Sequence, residues 1–186
     1  MKKLFLMAAM ALISLGASAQ HAVGGLTLQP QVGLSLATVT KTNDSGLKAG
    51  LMAGAELEYQ VTDMLGLAAG VNYSMQGTAY DHTDNLNLDY VNIPLRAKIY
   101  VAPGLSINGG IQLGFLASAK VDGKDWSDVY DKNFDLSLPI GASYEFNNIV
   151  FDARYNFGLT SISGIKEIDD RKNSVLQFTV GYRFDL

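Results

Sequence analysis

Between residues 134 and 146 every second side chain is apolar. Phe134, Leu136, Leu138, Ile140, Ala142, Tyr144 and Phe146 alternate with Asp135, Ser137, Pro139, Gly141, Ser143 and Glu145. Neighbouring side chains on a β-strand point to opposite faces, so this period of two predicts a strand with one apolar and one polar face. Residues 149–159 and 176–186 repeat the pattern. Weaker versions cover residues 28–37, 47–59, 65–75, 91–101 and 105–115, with Met52 and Leu116 out of phase. That makes eight strands, and no helical periodicity follows residue 19. Short connections near residues 61–64, 102–104 and 147–148 alternate with long ones near 39–46, 77–86, 118–132 and 160–173. Long and short connections in turn are the layout of an up-and-down membrane barrel, with tight periplasmic turns and large outer loops.

Alternation alone fits two barrels. A soluble lipocalin-like carrier turns its apolar face inward, whereas a transmembrane barrel turns it outward. Four features select the transmembrane form. The polar face carries mostly Gly, Ser, Asn and Gln, and charged residues are 17% of the chain, where a water-soluble domain has about a quarter. The charges on that face are of both signs: Glu56, Glu58, Asp135, Glu145 and Asp152 against Arg96, Lys98, Arg154 and Arg183. Such a set neutralises itself inside a narrow lumen. Tyr59, Tyr73, Phe115, Phe134, Phe146, Phe157, Tyr182 and Phe184 sit near strand ends on the apolar face, the placement of interfacial girdles. The strands run to about ten residues, the length a tilted strand needs to cross a bilayer.

The chain begins with an address. Lys2 and Lys3 precede an apolar run from Leu4 to Leu15, and Ala17-Ser18-Ala19 forms a small-residue cleavage site before Gln20. This is the pattern of a secretory signal, and the run is too short to span a bilayer as a helix. Residues 1–19 are therefore expected to be a cleaved signal peptide and residues 20–186 an all-β, eight-stranded antiparallel barrel in an outer membrane. Eight strands enclose a lumen that side chains fill, so a plugged barrel is expected.

Several function classes lose their chemistry here. The chain of 186 residues has no cysteine, which removes disulfides, thiol catalysis and Cys-based zinc sites. A net charge of −4 disfavours nucleic acid as a partner. His21 and His82 are the only histidines. His82 beside Asp81 and Asp84 is the one candidate catalytic group, no nucleophile accompanies it, and no catalysis is expected. Asp122, Asp125, Asp128 and Asp131 in the third long loop are evenly spaced, but they match no calcium-loop template, and Lys120, Lys124 and Lys132 offset them. The loop around Lys166, Glu167, Asp169, Asp170, Arg171 and Lys172 reads as hydrated surface. No metal or cofactor is expected. Trp126, the single tryptophan, is the candidate loop contact, either with a partner or with the membrane interface. Pro94 and Pro139 fall on the polar phase of strands, where a residue that cannot donate to the ladder marks a bulge or a break.

Three stretches carry a family likeness. They are Leu88-Asp89-Tyr90-Val91-Asn92-Ile93-Pro94-Leu95, Arg154-Tyr155-Asn156-Phe157-Gly158-Leu159-Thr160-Ser161-Ile162, and Val180-Gly181-Tyr182-Arg183-Phe184. They combine barrel alternation with unusual Pro and Gly placements. On these residues the mature chain resembles the PorT-like small outer-membrane barrels of Bacteroidetes. The resemblance implies an eight-stranded barrel in a Gram-negative outer membrane and implies no reaction. The chain departs from an aromatic ending, since Phe184 is third from the end and Leu186 is last. The expected role is structural, adhesive or accessory to an envelope assembly. The expected partners are outer-membrane lipid, lipopolysaccharide and the barrel-assembly machinery, with an envelope or secretion complex as a further class, and the expected state is a monomer. The alternatives are a loop-mediated ligand-binding or secretion-associated module and the soluble periplasmic carrier.

Overall fold

The computed structural model describes residues 22–39, 45–46, 48–80, 86–121, 124–125, 134–160 and 173–186. Eight long strands run in sequence: β1 (Leu26–Val39), β2 (Lys48–Thr62), β3 (Leu65–Tyr80), β4 (Leu86–Ala102), β5 (Leu105–Val121), β6 (Phe134–Phe146), β7 (Ile149–Gly158) and β8 (Asn173–Tyr182). Each pairs antiparallel with its neighbours, and β1 pairs with both β2 and β8, so the sheet closes on itself. Short pieces at Ser45–Gly46, Lys124–Asp125 and Phe184–Asp185 extend the ladders of β3, β5 and β1.

The stagger can be followed residue by residue. From Leu105 in β5 the register runs to Tyr144, Phe151, Val180, Val32, Ala53, Tyr73 and Val91, and returns to β5 at Phe115. One circuit therefore climbs ten residues on the same strand, and a stagger of this size goes with strands tilted by about 40°.

The tight turns follow from local chemistry. Asn147 and Asn148 have φ of 49° and 65°, the two positive values of a type I′ hairpin turn, which Asn tolerates better than most residues. Pro103-Gly104, with Gly104 at φ 72°, fits a type II turn. Thr62 closes the third turn by accepting from the amides of Met64 (3.3 Å) and Leu65 (3.1 Å).

The apolar face points outward. Val32 and Leu51 are 63% and 62% exposed, whereas Glu56 and Arg154 are each 1% exposed. Tyr59, Phe146, Tyr182 and Phe184 gather at the short-turn end and Tyr73, Phe115, Phe134 and Phe157 toward the long-loop end, all exposed. Phe115 meets Phe134 edge-on at 5.7 Å, and Tyr182 meets Phe184 at 4.8 Å. Two aromatic bands around an aliphatic waist are the outer surface of a bilayer-spanning barrel.

The structure departs from the sequence expectations in three places. The strands are longer, up to 17 residues in β4 and β5, because the hairpins keep pairing beyond the apolar band. Met52 lies within the lumen phase and is buried, so its position in the pattern was not an error of phase. Leu116 likewise stays on the lumen phase, opposite the buried Tyr90, and the register shift of the β4–β5 ladder follows it at Asp89↔Ser118.

The prolines open the ladder without shifting it. On the β3 side of Pro94, pairing stops at Ala69↔Leu95 and resumes at Asn72↔Asn92 in the same register. Pro139 does the same against β5, between Gly109↔Ile140 and Gln112↔Ser137. Pro30, which the alternation did not single out, does it against the end of β8, between Leu28↔Phe184 and Gln31↔Gly181. The expected bulge at Pro94 and Pro139 is therefore a two-pair gap on one flank, since the missing N–H removes bonds but adds no residue.

Gly33 sits at the closing seam. A Cβ there would lie 2.0 Å from the Phe178 carbonyl oxygen in β8, so any side chain pushes β1 and β8 apart. Gly33→Val is expected to lower unfolding stability by about 1–3 kcal/mol, read as an earlier loss of the folded band when the protein is heated in SDS before electrophoresis.

Candidate functional site

The lumen holds the chemistry of this barrel. Along β2, Glu56 and Glu58 project inward from alternate positions; Arg96 and Lys98 do so on β4, Glu145 on β6, Asp152 and Arg154 on β7, and Arg183 just beyond β8. The tilt of the strands brings residues from these distant segments to one level.

Eight of the nine charged residues expected in the lumen form a single chain of alternating sign. Glu145 pairs with Arg183 (2.5 Å), and Arg183 with Glu58 (3.0 Å). Lys98 bridges Glu58 (2.8 Å) and Glu56 (2.7 Å). Arg96 pairs with Glu56 through both Nε and Nη2, and with Asp152 through Nη1 (3.2 Å). Asp152 finally takes Arg154 Nε (2.6 Å). Four negative and four positive groups balance, which is the condition under which buried charge is tolerated.

Neutral groups brace the chain. Tyr100 donates to Glu58 (2.5 Å) and accepts from Arg183 (3.0 Å). Asn108 accepts from Arg96 and donates to Ser143 and Asp152, and the Ser143 hydroxyl donates to Asp152 at 2.6 Å. Gln31 accepts from Arg154 (3.2 Å). Looking for charges alone misses Tyr100, Asn108, Ser143 and Gln31. Their shared signal is a polar side chain on the lumen phase.

Asp135, the ninth residue, stands apart from this chain. It lies toward the long-loop end of β6 and accepts from the Thr160 hydroxyl (2.7 Å). Its inclusion in the network is corrected here: the phase of the strand is right, but its height is not, because alternation gives the face of a residue and not its level.

Above the charges lies a layer of amides and hydroxyls. Gln31 donates to Asn72 (3.0 Å), Asn92 and Gln76 donate to Ser74 (2.9 and 2.6 Å), and Asn156 donates to Gln177 (2.9 Å). Toward the long-loop end apolar side chains join the buried interior, Ala37, Met52, Leu88, Tyr90 and Val175 lying among Gln76, Asp135 and Ser174. The lumen thus grades from ionic, through amide, to a mixture of apolar and polar side chains.

Trp126, His21, Asp81, His82, Asp84, Asp122, Asp128, Asp131, Lys132 and residues 161–172 lie outside the described residues, as do residues 1–19. Asp125 falls in the short piece that pairs with Lys120 and Val121 of β5.

The family described as outer membrane protein beta-barrel domain matches residues 5–184, and the chain belongs to that family. Its fold is similar to Ail, the attachment invasion locus protein of Yersinia pestis, with a TM-score of 0.55 at 16% identity over 88% of this chain and 100% of Ail. It is equally similar to Ail in complex with the heparin analogue sucrose octasulfate, with a TM-score of 0.55 at 17% identity over 87% and 100%. Neisserial surface protein A, NspA, matches with a TM-score of 0.55 at 17% identity over 86% and 97%. No curated protein matches the sequence. The molecule is a small outer-membrane β-barrel with a closed, antiparallel, eight-stranded wall.

Removing one partner of a buried ion pair strands the other charge, at a cost of about 3–5 kcal/mol. Arg96→Ala uncovers both Glu56 and Asp152 and is expected to lower the urea unfolding midpoint in micelles sharply. Asp135→Asn retains an oxygen to accept from Thr160 and is expected to change stability by less than about 1 kcal/mol. Equal midpoints for the two variants would refute this ranking.

Proposed function

We propose that this protein is a closed, non-catalytic barrel whose wall and lumen are structural and whose outer loops do its work, as an adhesive element or as an accessory of an envelope assembly. The observation that carries this reading is the filled lumen. Arg96, Lys98, Glu56, Asp152 and Arg154 are all at most 4% exposed, and their ion pairs cross the lumen from one wall to another. A lumen filled by its own side chains leaves the loops as the working surface.

Further elements of the reading rest on sequence. The PorT-like likeness supports a Bacteroidetes origin, and the Lys2-Lys3 start with the Ala17-Ser18-Ala19 site supports a cleaved signal peptide. Lipid, lipopolysaccharide and the barrel-assembly machinery are the proposed partners of a monomer. No nucleophile–base pair supports catalysis, so enzyme activity is not part of the proposal. NspA is by name a surface protein, Ail is an attachment invasion locus protein, and Ail forms a complex with the heparin analogue sucrose octasulfate. In this chain the third long loop interleaves Asp122, Asp125, Asp128 and Asp131 with Lys120, Lys124 and Lys132, which offers a mixed-charge surface to a protein partner rather than a basic face to a polyanion.

Two measurements test the proposal. Purified protein in a planar bilayer is expected to give no steady conductance of open-pore size. Photo-crosslinking in cells from position 126 and from Asp169 is expected to capture one protein partner. Open-pore conductance overturns the closed wall. Crosslinks only to lipopolysaccharide and assembly factors overturn the accessory role and leave a stand-alone structural barrel.

A further inference from the structure

The ionic chain of the lumen is neutral without Asp135, so it offers that carboxylate no countercharge. Asp135 is 7% exposed. Among the described residues its hydrogen-bond partner is the Thr160 hydroxyl, and no Lys or Arg among them pairs with it. Thr160 Oγ1 itself accepts from the Leu136 amide at 2.8 Å, which directs its hydrogen at Asp135 Oδ1. Asp135 Oδ2 receives no donor from the described residues. A buried carboxylate in this state calls for a positive partner.

A second oxygen lies beside it. Asn92, Gly114 and Asp135 pair side by side on β4, β5 and β6, all on the lumen phase. A Cβ on Gly114 would lie 3.0 Å from Asn92 Oδ1 and 3.3 Å from Asp135 Cβ, so both side chains border the same glycine. Asn92 is 2% exposed, and its Nδ2 donates to Ser74 at 2.9 Å, which leaves Oδ1 over the glycine. Among the described residues nothing donates to that oxygen. Two buried acceptors without donors thus meet at one break in the side-chain filling.

We propose that Asp135, with Asn92 Oδ1 beside it, holds a calcium ion at the long-loop end of the lumen, with water completing its shell. The donors are a carboxylate and an amide oxygen, with no thiolate or imidazole, so the set favours a hard cation. Calcium takes about six to eight oxygens in loose geometry, whereas magnesium demands a near-ideal octahedron that two strand-borne donors do not supply. A single carboxylate puts the affinity in the weak range of extracellular calcium modules, with a Kd of about 0.1–1 mM. The site shares no residue with the evenly spaced aspartates of the third long loop.

A proton on Oδ2 is the competing countercharge. It would neutralise the carboxyl and make the barrel indifferent to calcium. The Thr160 hydroxyl, held as a donor by the Leu136 amide, serves the ionised form instead.

The test titrates calcium into the full protein in zwitterionic micelles, free of lipopolysaccharide and at constant ionic strength. Calorimetry is expected to show saturable binding with a Kd of about 0.1–1 mM, and the urea midpoint is expected to rise over the same range. Asp135→Asn removes the charge and is expected to weaken binding more than about tenfold, while in chelator its midpoint stays close to that of the native protein. Asn92→Asp adds a second carboxylate and is expected to tighten binding about tenfold, with a midpoint that falls in chelator and recovers with calcium. A purely structural role for either side chain does not produce that recovery. If Asn92→Asp gives no folded band in unheated SDS, the native protein and Asp135→Asn decide. The absence of saturable binding, a folded Asn92→Asp that binds no more tightly, or equal binding by the native protein and Asp135→Asn, which would put the calcium on the loop aspartates, overturns the proposal.

Discussion

Hydrocarbon offers no hydrogen bond to a peptide group, and the architecture follows from that constraint. Every strand inside the bilayer needs a partner on both sides, so the sheet has to close, and β1 must find β8 across the whole length of the sequence. Closure with eight strands fixes the bore. The bore is too small to hold bulk water, so the inward side chains must satisfy one another. The ionic chain from Glu145 to Arg154 and the amide layer above it answer that demand. Glycine at the seam answers the geometric one, because Gly33 lets two strands far apart in sequence come into contact.

The three prolines show how closely that constraint can be approached without harm. Each removes ladder bonds on one flank, yet none moves the register. A bulge would have turned every later side chain to the other face, sending arginines into lipid and leucines into the lumen. A gap leaves the alternation intact.

Much of this was legible in the sequence because the bilayer imposes a period of two on every spanning segment. The strands, the inverted faces, the aromatic bands and the three tight turns could all be placed from that period and from the points where it breaks. The level of a residue in the lumen could not. Asp135 and Glu145 share a strand and a phase, but only Glu145 reaches the ionic chain, because level depends on the ten-residue stagger, a property of the closed sheet and of no single segment. The proline gaps were hidden for the same reason: whether a missing N–H shifts a ladder or merely interrupts it is decided by the neighbouring strand. Tyr100 and Asn108 were readable as inward-facing, but not as braces for particular ions.

The alternating ion chain has a consequence for how such a barrel is made. Its eight members come from β2, β4, β6, β7 and the end of β8, and no adjacent hairpin contains a balanced set with all its contacts. A half-built sheet would carry Glu56 and Glu58 inward without Arg183, and Arg96 without Asp152. Entry of such an intermediate into hydrocarbon would carry bare charge with it. The wall therefore gains its tolerance for lipid only when the last strand delivers the last countercharge, which makes insertion and closure one concerted event.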